Sequence, residues 1–135
     1  IAVRRHRRNE WSRAFADART EVRWAAQTLV PSLALEPSAA RMIEEWQPAS
    51  VRVMAAEEKL ARLETTAPDP SRAARVRALR DAVVAARNRV NELVALPNPV
   101  DARAGLSSVA ASLDTAVTEA SSGEPPGPPR RGSHA

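Results

Sequence analysis

Apolar residues recur at helical spacing in four successive stretches of this chain. The clearest is Val76, Leu79, Val83, Ala86, Val90 and Leu93, whose alternating steps of three and four draw one seam along one side of a helix. Before it, Trp11, Phe15, Ala18, Val22, Ala25 or Ala26, and Leu29 share a face between Asn9 and Val30, and Pro31 is expected to stop that run. A second helix should carry Ala39, Met42, Ile43, Trp46, Ala49, Val53, Ala56, Leu60 and Leu63 on one face. The apolar phase passes through Pro48, which predicts one kinked helix rather than two in tandem. Ala102, Leu106, Val109, Leu113, Ala116 or Val117, and Ala120 form a fourth, shorter element. Gly105, Ser107, Ser108 and Thr115 lower its intrinsic propensity, so it relies on docking.

The connections are short and marked by proline. Ser38 is placed to cap the second helix, and Pro68-Asp69-Pro70 supplies a turn, an N-cap and a first helical residue that needs no N–H. Leu96-Pro97-Asn98-Pro99 ends the central helix. Short links imply antiparallel neighbours, so residues 9–120 should form an all-α, elongated, up-and-down antiparallel bundle. Three long helices of about 22 to 29 residues would each span roughly 33 to 44 Å. Residues 121–135, rich in Pro, Gly and Ser, should be a disordered tail. Pro125, Pro128 and Arg130 match the spacing of groove-binding proline ligands, but the segment reads as a plain tail.

Composition narrows the core. With 135 residues the chain has one domain's worth of length, and with three Trp, one Phe and no Tyr the helices must approach closely on Ala, Val and Leu. The absence of cysteine removes disulfides, thiolate nucleophiles and thiolate metal sites together. The formal net charge is +4, a value that raises the question of nucleic acid. Its distribution argues against that. Residues 1–8 hold Arg4, Arg5, Arg7 and Arg8 and no acid, whereas residues 9–120 are close to neutral. Phosphate contacts need a concentrated basic face on the fold itself.

The chain starts Ile1-Ala2-Val3 with no initiator Met, followed at once by Arg4-Arg5-His6-Arg7-Arg8. Apolar residues running into a basic cluster are what the cytoplasmic exit of a transmembrane helix looks like. No run of about 20 apolar residues occurs in the chain, so such a helix would lie upstream. Residues 1–8 are then a juxtamembrane-like arm continuing into the first helix. Its partner would be an anionic membrane surface touched by Arg4, Arg5, Arg7 and Arg8.

Trp24 breaks the first pattern. At about 100° per residue it lies nearly opposite the Trp11–Leu29 seam, beside Arg13, Asp17 and Thr28. Either its ring packs over a neighbouring helix edge, or it anchors a protein partner or a second copy of the chain.

Catalytic signatures are missing. His6 and His134 sit in the arm and the tail, and there is no phosphate loop, nucleophile elbow or zinc-helix motif. Glu44, Glu45, Glu57 and Glu58 lack a histidine on a facing helix, so they read as exposed ion-pair partners of the Arg-rich central helix. No cofactor and no metal is expected, and the chain is read as a non-enzyme.

The run Trp11 to Leu29, then Pro31, Trp46 and the Arg-rich third helix resembles the cytosolic region of uncharacterised single-pass actinobacterial membrane proteins, over about residues 4 to 96. That resemblance implies a membrane anchor and a helical domain at the cytoplasmic face of the membrane, and carries over no catalytic residue. The leading expectation is a non-catalytic interaction or scaffolding domain of the bacterial cell envelope. The alternative is a soluble cytoplasmic binder of nucleic acid or an acidic partner that works through the basic arm, with nucleic acid the less favoured of the two.

Overall fold

The structure, a computed structural model, describes residues 2–122. Helix α1 (Ala2–Trp24) passes through a π-helical turn (Ala25–Leu29) into a short α2 (Val30–Ala34), and the three make one continuous rod. Helices α3 (Ala39–Thr66), α4 (Pro70–Val94) and α5 (Pro99–Ser122) complete an up-and-down bundle of four rods. Each of α3 and α5 packs between α1 and α4, which lie diagonally across the core, and α2 rests chiefly on α5. The antiparallel all-α bundle anticipated from periodicity is the fold, and α3, at 28 residues, sets its length at about 42 Å.

Local sequence explains where the rods begin. Ser38 and Asp69 both adopt extended backbone, and their side chains accept from the N–H groups of Arg41 and Arg72, occupying donors that the first turns of α3 and α4 leave free. The fourth rod runs beyond the expected Ala102–Ala120 at both ends, so Ser121 and Ser122 are helical rather than part of a tail. The proline-rich residues 123–135 expected to be disordered, Arg130 and His134 among them, lie outside the described residues.

The two prolines behave differently from one another. Pro48 lies within α3, as the uninterrupted apolar phase requires. Pro31, expected to end the first helix, does not: the helix continues to Ala34. A proline at this point cannot donate to Gln27, and in α geometry its ring would strike that carbonyl. The preceding π turn, in which the Val30 N–H reaches back to the Ala25 carbonyl, widens the helix just ahead of the ring.

The core is the expected one of small and aliphatic side chains, with Phe15, Leu33, Leu60 and Leu106 fully enclosed. Ile43, placed on the inner face by periodicity, is instead exposed. Two indoles are satisfied by name: Trp46 Nε1 donates to Asn91 Oδ1 at 2.7 Å, and Trp11 Nε1 donates to the Leu63 carbonyl at 2.9 Å. Where α4 and α5 meet, a Cβ added at Gly105 would stand 2.5 Å from Leu93 Cδ2. Glycine is there for the approach.

Gly105→Ala should therefore destabilise the fold by about 1 to 2 kcal/mol despite a helix-propensity gain of about 1 kcal/mol. In a Leu93→Ala background the sign should reverse, because the clash is gone. Urea denaturation of the four variants checks this, and a stabilising Gly105→Ala in the parent chain would show that the helices have room to spare.

Candidate functional site

The first nine described residues, 2–10, are all exposed, although all are helical. Buried structure begins at Trp11, so roughly the first 13 Å of α1 forms an exposed overhang past the packed core, alongside the α3–α4 turn. Trp11 is held at the root of the overhang by its bond to the Leu63 carbonyl in the last turn of α3. Arg4, Arg7 and Arg8 share the helical face of Trp11, with Arg5 turned away. These three arginines, Trp11, Thr66 and Pro68 enclose a cleft of about 360 Å³ between the overhang and the α3–α4 turn.

The nearby acids are already engaged. Glu64 is paired with Arg77 at 2.7 Å and Arg80 at 2.6 Å, and the Arg77 hydrogen bond is the main reason its carboxyl is held below the usual range. Asp69 is likewise lowered, chiefly by the Arg72 N–H that it caps and further by the Arg72 guanidinium. Glu10 pairs with His6 at 2.8 Å. Among the described residues, no carboxylate pairs with Arg4, Arg5, Arg7 or Arg8. Because α5 ends at Ser122 on this same side, both termini of the described chain leave from one end of the bundle.

Trp24 is not a free surface anchor. It is half-buried, packed against the core, with the Arg52 guanidinium 3.7 Å above its ring. Arg52 is fixed in turn by Glu21, at 2.8 Å. This is the helix-edge packing that was one of the two expectations for Trp24. The ring roofs a small apolar cavity of about 20 Å³ at the waist of the bundle, beside the π turn, with Ala25, Trp46, Val53 and Val83 in its walls. Arg87 closes the neighbouring side through a 2.5 Å contact with Glu57, and that hydrogen bond raises the Arg87 pKa. The Glu57–Arg87 pair is therefore largely enclosed rather than exposed as expected, with the carboxylate side chain only 13% accessible. A cavity of this size accommodates about one water or methyl group and no cofactor.

His6 is exposed on the overhang, and among the described residues no three of His, Cys, Asp and Glu gather at metal-binding distance. Glu45, one of the four acids weighed for metal, accepts from the Ser32 hydroxyl. No described helix is long and apolar enough to cross a membrane. No family model, curated protein or solved structure matches the chain.

The four arginines were visible in the sequence as a cluster, but not as a cleft. The register that sets Arg4, Arg7 and Arg8 above Trp11 is a helical phase and was readable. That the α3–α4 turn closes the other side depends on topology.

Trp24→Ala should cost about 2 to 4 kcal/mol, by opening the waist cavity, whereas Arg52→Ala should cost about 1 kcal/mol or less, since its side chain is half in water. Denaturant titration beside light scattering checks both; an undiminished stability with loss of a dimer would place the ring at an interface between copies. Acid supplies a second test. Glu64 and Asp69 have lowered folded values, so their contribution is complete above the unfolded carboxylate range and is lost as pH falls through the folded values, from about pH 5 downward. Glu64→Gln should flatten that part of the stability profile, and an unchanged slope would mean that the Arg77 pair has no energetic weight.

Proposed function

We propose that this chain is a non-catalytic interaction domain held at an anionic membrane surface by its basic end, as the cytosolic part of a single-pass protein of the bacterial cell envelope. The observation that carries the reading is the α1 overhang, where four arginines that pair with no carboxylate among the described residues stand at the end of a nearly neutral bundle. Cations beside an anionic leaflet contribute about 1 kcal/mol each within a Debye length. Arranged on a projecting helix end, all four reach such a surface together while the packed core stands off it. The Ile1-Ala2-Val3 lead into the arginines and the resemblance to anchored actinobacterial proteins support the same orientation. Partner recognition then falls to the opposite end, where Leu35, Leu96 and Val100 are exposed around the two connecting loops. The Arg103 side chain ties that end together by donating to the Ala34 carbonyl.

The chain should bind vesicles of phosphatidylglycerol and phosphatidylcholine weakly and lose them as salt rises. Deletion of residues 1–8 should abolish that binding in co-sedimentation while circular dichroism stays nearly unchanged apart from the lost turns. Vesicle binding that survives the deletion, or tight binding of the whole chain to duplex DNA at about 150 mM salt, would favour the soluble polyanion-binding alternative.

A further inference from the structure

We propose that the cleft between the α1 overhang and the α3–α4 turn is a seat for the phosphate monoester of a lipid headgroup, clasped by Arg4, Arg7 and Arg8. The inference rests on the membrane-surface reading and adds to it a specific recognition chemistry. Its starting point is that the overhang is electrostatically unfavourable as it stands. Arg4 has like-charged neighbours three and four residues on, in Arg7 and Arg8, a spacing that destabilises a helix.

The surroundings do little to relieve this. Glu64 and Asp69 are each committed to another arginine, and Glu10 is engaged by His6. The C-terminal end of α3, reaching the cleft at Thr66, offers about half a negative charge against three positive ones. Among the described residues these arginines therefore lack an anion, and the cleft has room for one. At about 360 Å³ it falls at the small end of ligand sites, enough for a headgroup phosphate and not for acyl chains.

Arginine specifies the phosphate. Each guanidinium presents a planar fork of donors that pairs two phosphate oxygens at once, which a lysine cannot do. A monoester, at about −1.5 to −2 near neutral pH, offers three terminal oxygens to three forks. A diester offers two and a single charge. The lipid source follows from shape: the arginines are exposed along a helix end that projects past the packed core, with Val3 exposed beyond them. A ligand presented by a surface meets this arrangement end-on, and Trp11, pinned to Leu63, forms the rigid floor.

The test compares the full chain on phosphatidylcholine vesicles doped with phosphatidic acid or with phosphatidylglycerol, adjusted to equal surface potential. Binding should be about five- to tenfold tighter on phosphatidic acid. The charge-preserving variant Arg4→Lys, Arg7→Lys, Arg8→Lys should lose that preference yet keep its phosphatidylglycerol binding, while Arg5→Lys, on the other face, should change neither. Circular dichroism confirms folding of each. Equal binding to both vesicles would overturn the seat and leave the membrane reading standing, whereas no binding to either would remove both. Displacement by low-millimolar inorganic phosphate at fixed ionic strength would overturn the lipid as its source, and a preference for duplex DNA over phosphatidic acid vesicles would overturn it in favour of nucleic acid.

Discussion

The indole of Trp11 donates to the Leu63 carbonyl in the last turn of α3, just before the chain turns extended at Ala67. That single contact settles several things together. It fixes the level at which α1 stops being part of the bundle, so that everything before Trp11 is overhang. It also holds a large flat side chain under the three arginines and against the α3–α4 turn. An indole buried with its N–H unpaired would be costly, so the ring cannot slide along α3 without losing its acceptor. The register between α1 and α3 is thereby pinned at the end where charge matters.

A second constraint operates at the waist. Pro31 needs a widened turn, the π turn lies beside the apolar cavity, and Trp24 covers that cavity from the outside. The lid is held from above by Arg52, which Glu21 orients. Exposed ion pairs of this kind contribute little by themselves. Their consequence here is geometric, since they decide which way a large ring lies. The enclosed Glu57–Arg87 contact does the same between α3 and α4.

Much of this was legible in the sequence, for identifiable reasons. The α4 seam needed only the periodicity of Val76 to Leu93, and the caps at Ser38 and Asp69 needed only short polar side chains ahead of apolar phase. Of the four α3 acids read as exposed partners of the α4 arginines, Glu57 pairs with Arg87 but is enclosed, Glu45 accepts from Ser32 instead, and Glu64, outside that reading, pairs with Arg77 and Arg80. What failed were quantities set by neighbours. Apolar phase kept Pro48 inside a helix, whereas local signals read Pro31 as a stop, yet Pro31 is absorbed by a change of helical pitch. For Trp24 helical angle left two readings open, and only the fold chose the helix-edge packing, in which the indole folds over onto α3. Ile43 belongs to the apolar count of α3 and still faces water. The arginine cleft could be read only halfway, since helical phase gives one wall and topology gives the other.

An even number of rods returns the chain to the side it started from, so α1 begins and α5 ends together while the two loops around Leu35 and Leu96 lie at the far side. The separation is close to the length of α3, about 42 Å. At physiological ionic strength an electrostatic potential decays over about 8 Å, so the far loops stand some five decay lengths from the arginines. The molecule is thus insulated along its axis. Whatever anion collects at one end changes nothing electrically at the other, and any signal between them has to travel as a displacement of packed helices, through the waist where Trp24 and the π turn border a small apolar cavity.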